Sequence, residues 1–67
     1  MNTELLRTKR KEMGLTQEQL AEKIGVAQNT LSSYEVGDYE PSVPVLRRIS
    51  AVLSVSLDEL LKEGVKQ

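Results

Sequence analysis

The stretch LTQEQLAEKIGVAQNTLSSYE, Leu15 to Glu35, constrains this chain more than any other. Thr16 is a good helix N-cap, and Gln19 three residues on completes a T-x-x-Q capping box. Leu20, Ala21 and Ile24 follow at helical spacing and mark a buried side. Gly25 comes next, where an unusual backbone angle costs least. A second short helix starts at about Gln28 and buries Leu31 and Tyr34, three residues apart on one face. Its outer face, Gln28, Asn29, Ser32 and Ser33, is polar and uncharged.

At 67 residues the chain has room for one domain, residues 1–67, with one small core. Few aromatic residues and only two prolines suit an all-helical unit. The absence of cysteine excludes disulfides and thiolate metal sites. No apolar run approaches the roughly 20 residues of a membrane span. MNTELLRTKRK lacks the apolar stretch of a signal peptide, so a cytoplasmic location is expected. Nine basic and ten acidic residues nearly cancel, which argues mildly against nucleic acid. The charge is uneven, however: Arg7, Lys9, Arg10 and Lys11 face only Glu4 and Glu12 before Gly14. A local basic patch can anchor phosphate on a nearly neutral chain.

Around the central stretch, Asn2 or Thr3 caps a first helix, with Leu6, Arg10 and Met13 along one stripe and Gly14 at its end. An arginine on an apolar stripe either finds a partner or snorkels to water. Gly37 closes the helix after Tyr34, and Asp38 and Glu40 make the following loop acidic. Ser42 caps a fourth helix, Pro44 falls in its first turn, and Leu46, Ile49 and Leu53 form its core stripe. Arg47 and Arg48 flank that stripe as solvating residues. Ser56 and Glu59 form a second capping box opening a last helix, Leu57 to Lys62, with Gly64 at its end. Leu57, Leu60 and Leu61, with Val52 and Val55, exceed what one short helix needs. They either close the monomer's core or form a dimer interface, and both uses are expected.

The segments KRKEMGLTQEQLAEKIGVAQNTLSSYEVG, PSVPVLRRISAVL and VSLDELL, in this order and spacing, resemble the Cro/cI-type phage-repressor family of helix-turn-helix proteins, also called the XRE family. The resemblance implies an all-α, five-helix, lambda-repressor-like DNA-binding domain with its helix-turn-helix at helices 2 and 3. It implies a double-stranded DNA partner, read through the major groove by a homodimer on a pseudo-palindromic operator. Gln28, Asn29, Ser32 and Ser33 then become base readers, since amide and hydroxyl side chains pair with base edges. Arg10, Thr16, Gln17, Thr30 and Tyr39 become phosphate contacts. For Thr16 and Gln17 this follows from the amide-bearing N-terminus of their helix; Thr30 and Tyr39 have partial burial as the alternative. In the family the position of Arg10 commonly pairs with an acid at the end of the recognition helix, which implies an Arg10–Glu35 ion pair. Ala27 departs from the pattern, standing where a capping Ser or Thr is frequent, and the helix has no Arg or Lys for guanine. A·T-leaning or shape-assisted specificity, rather than a G-rich site, is expected.

Two other function classes fit the sequence less well. The acidic loop and near-zero charge suit a protein-interaction module, such as an antitoxin-like or antagonist partner, on the same fold. An enzyme is disfavoured: the chain has no His or Cys, no phosphate-binding glycine loop and no acidic cluster at metal spacing, so no cofactor, metal or small-molecule ligand is expected.

Overall fold

The computed structural model describes residues 1–62, and the Gly64 stop lies outside them. Five helices follow in order: α1 (Thr3–Glu12), α2 (Gln17–Ile24), α3 (Gln28–Val36), α4 (Val43–Leu53) and α5 (Leu57–Leu61). Side-chain capping accounts for three of the starts. Asn2 caps α1 by accepting from the Leu5 amide, and full capping boxes open α2 (Thr16, Gln19) and α5 (Ser56, Glu59). Ser42 is the N-cap residue of α4, but its side chain makes no capping bond.

The stops are more uniform. After α1, α2, α3 and α4 a residue adopts a positive φ, and the next amide bonds a carbonyl five residues back: Leu15 to Arg10, Val26 to Ala21, Asp38 to Ser33 and Val55 to Ser50. This closure satisfies carbonyls that a helix end leaves open. Glycine fills the position three times; Ser54, at φ 57°, fills the fourth and is the one non-glycine with positive φ among the described residues.

The core gathers one stripe from each helix: Leu6, then Leu20, Ala21 and Ile24, then Leu31 and Tyr34, then Ile49 and Leu53, with Val55 and Leu60. α3 packs on α1 and α2, and α4 joins α2, α1 and α5. The Asn2 amide donates to the Leu60 carbonyl, tying the two ends of the fold together. Two expectations are corrected here. Met13 is about half exposed, because α1 ends before its side chain can turn inward. Val55 and Leu60 are core residues, 6% and 0% exposed, so they cannot belong to a dimer surface. Val52 and Leu57 remain partly exposed and Leu61 is 52% exposed. No helix among the described residues is long and apolar enough to cross a membrane.

Candidate nucleic-acid interface

The placement of α3 is set from below by charge. Arg10 and Glu35 are buried, and Arg10 Nε donates to Glu35 Oε2 at 2.7 Å while Nη2 donates to Oε1 at 3.3 Å. The remaining terminal nitrogen, Nη1, donates to the Leu15 carbonyl at 2.9 Å. Gln17 Nε2 adds a third donor to Glu35 Oε1 at 3.0 Å, and Arg7 Nη1 donates to the Glu35 backbone carbonyl. One carboxylate near the end of α3 thus holds α1, the α1–α2 turn and the first turn of α2 together. Two guanidiniums at that end also face the negative pole of the α3 dipole. Every buried side-chain polar atom among the described residues has a partner, which is the condition under which a buried ion pair is tolerated.

This network changes two assignments. Arg10 is 9% exposed and its guanidinium is committed inward, so it is not a phosphate contact. Gln17 turns its amide donor to Glu35 instead of outward. Arg7, which the sequence places only in the basic patch, is a structural residue; the one signal of that role is its position a turn before Arg10. Arg48, read as merely solvating, donates to the Ile24 carbonyl at 3.3 Å and closes the C-terminus of α2.

Above the network, α3 presents its other side. Leu31, Tyr34 and Glu35 are buried, whereas Gln28 and Asn29 are exposed and Ser32 and Ser33 partly so. Ala27 is the N-cap and offers no side-chain bond, so the first turn of α3 relies on other acceptors. Ser33 Oγ donates to the Asn29 carbonyl at 3.1 Å, which leaves its lone pairs free to accept. Thr16 Oγ1 accepts from the Gln19 amide at 3.1 Å, and exposed Thr16 stands beside the open amides that start α2. Two clefts flank α3. One is lined by Thr30, Tyr34, Tyr39 and Glu40 with Asn29 and Ser33; the other by Glu18, Ala21, Glu22, Val26 and Gln28. Tyr39 is 66% exposed and Thr30 partly buried. Glu40 is engaged by the Met1 ammonium at 3.1 Å, which offsets part of the loop's negative charge.

A family model described as helix-turn-helix matches residues 6–60. The chain belongs to the helix-turn-helix family. It is of the Cro/cI, or XRE, type that the sequence segments resemble. This helix-turn-helix chain is 44% identical over 62 residues to YqaE of Bacillus subtilis, an uncharacterized HTH-type transcriptional regulator, covering 92% of this chain and 53% of YqaE. It is 49% identical over 55 residues to the B. subtilis HTH-type transcriptional regulator SinR, covering 81% of this chain and 50% of SinR. The chain therefore spans about half the length of these two relatives. Its fold superposes on the N-terminal DNA-binding domain of SinR from B. subtilis with a TM-score of 0.83 at 42% identity, covering 96% of this chain and 94% of that domain. The crystal structure of SinR, the master regulator for biofilm formation, in complex with DNA gives 0.82 at 43% identity, covering 92% of this chain and all of that one.

Proposed function

We propose that this chain is a sequence-specific, double-stranded-DNA-binding transcriptional regulator, acting as a repressor, that inserts α3 into the major groove as one half of a homodimer. The observation carrying this reading is the outer face of α3: four uncharged hydrogen-bonding side chains project outward from a helix whose inner side is fixed by a saturated buried ion pair. Such a face gains nothing from folding, yet it matches the donor and acceptor pattern of base edges. The similarity to SinR, which has been crystallised with DNA, supports the same use. Gln28 and Asn29, in the first turn, meet bases as amide pairs; adenine is the partner that suits them best. Ser32 and Ser33 extend the contact by a turn. Thr16 and the open amides of α2 hold one phosphate, and Tyr39 with Thr30 approaches another from the opposite side.

Acidic residues on both flanks, Glu18 and Glu22 beside Gln28 and Glu40 beside Tyr39, keep the general attraction to phosphate low. Binding then depends on few phosphate contacts and on matched bases. A salt titration on duplex DNA tests this: log affinity is expected to fall linearly with log salt, at a slope of about −0.9 per phosphate neutralised. Negligible binding at every salt concentration would favour a protein-interaction module, a reading the exposed acidic loop Asp38–Glu40 supports.

A further inference from the structure

Val36 is the last residue of α3 and is 66% exposed, among the most exposed large apolar side chains described. It lies seven residues after Asn29, four after Ser32 and three after Ser33. On an α-helix these spacings put all four on one outward stripe. Val36 thus continues the polar face as an apolar end, and it contributes nothing to the core described above. A β-branched hydrophobe left in water on the very face proposed to meet DNA calls for an apolar partner in the groove. B-DNA offers one such group there, the C5-methyl of thymine.

We propose that Val36 is a fifth reading residue, packing against the C5-methyl group of a thymine and setting a preference for thymine at one position of each half-site. The inference rests on the reading of α3 as the groove-entering helix. With α3 lying along the groove, the rise of about 10 Å from Asn29 to Val36 spans roughly three base pairs, so Val36 meets a different pair from Asn29. Ser33, one turn earlier, acts as an acceptor because its hydroxyl proton is held by the Asn29 carbonyl; adenine and cytosine amino groups satisfy it equally, so the thymine preference is set by Val36 alone.

The test uses DNA obtained by in vitro selection with the full chain, in which each fixed thymine is replaced singly by deoxyuridine, removing the methyl group and nothing else. Binding is measured for the wild type, Val36→Asn and Val36→Ser, which carry no methyl group; Val36 is exposed, so the core is untouched, and circular dichroism checks that each variant is folded. A single deoxyuridine is expected to weaken wild-type binding about fourfold, the worth of one buried methyl group, and to leave Val36→Asn and Val36→Ser unaffected. Equal losses in wild type and variants, no loss at any thymine, or a selected half-site with no fixed thymine would overturn the role of Val36 while DNA binding stands. Failure to select any sequence would overturn the groove reading and this inference with it.

Discussion

Ser54 and Gly25 occupy the same backbone state at the ends of α4 and α2, and they predict opposite mutational signs. Ser54 bears a Cβ at φ 57°, where an L-residue pays roughly 1–2 kcal/mol. Ser54→Gly is therefore expected to raise stability by about 0.5–1 kcal/mol after the extra unfolded-state freedom of glycine is subtracted. Gly25→Ala, at φ 78°, should lower it by about 1–2 kcal/mol. Urea midpoints of the two variants check both signs. The glycines were legible as stops because glycine is the residue that position prefers. Ser54 was not, since nothing in a serine's identity reports a left-handed backbone. The same limit explains Gln17, whose amide was read as facing outward. Helical spacing gives a residue's face, but not the carboxylate that another helix brings within 3.0 Å of it.

Among the elements, α3 is the one whose position depends on charge as well as apolar packing. Glu35 is 1% exposed and shares donors from α1 and α2, so removing it strands the Arg10 guanidinium in the interior. Glu35→Ala is expected to cost about 3–5 kcal/mol, a large share of what a domain of this size possesses. Arg10→Met with Glu35→Leu should lose much less than the sum of the two single changes, because neither charge is then left alone. Thermal melts of the four proteins decide it; strictly additive losses would show that the pair is not coupled. The pairing of Arg10 with Glu35 was readable only through the family resemblance, since the residues are far apart in sequence. The helix starts needed no such help: the T-x-x-Q and S-x-x-E boxes are local chemistry, and both form as written.

At the scale of the molecule, the proposed homodimer must set the α3 helices of two copies roughly 34 Å apart to reach successive major grooves. The proposed contact between them is reduced by the structure to Leu61, Leu57 and Val52, because Val55 and Leu60 close the core. A short terminal helix reads as surplus apolar surface in sequence, and only the docking of α5 on α4 and α1 shows how much the monomer consumes. Leu61→Asp is expected to leave the fold intact, shift sedimentation from dimer to monomer, and weaken binding to paired half-sites about tenfold or more, with a single half-site unaffected. An unchanged sedimentation profile would remove α5 from the assembly.

The central claim, that the uncharged outer face of α3 reads bases, is tested most directly by in vitro selection from random duplex DNA with the wild type and with Asn29→Ala. Inverted half-sites are expected to be enriched by the wild type, and the same sites with preference relaxed at one or two specific base pairs by the variant. A folded wild type that enriches no sequence, or an Asn29→Ala profile identical to it, would contradict the account.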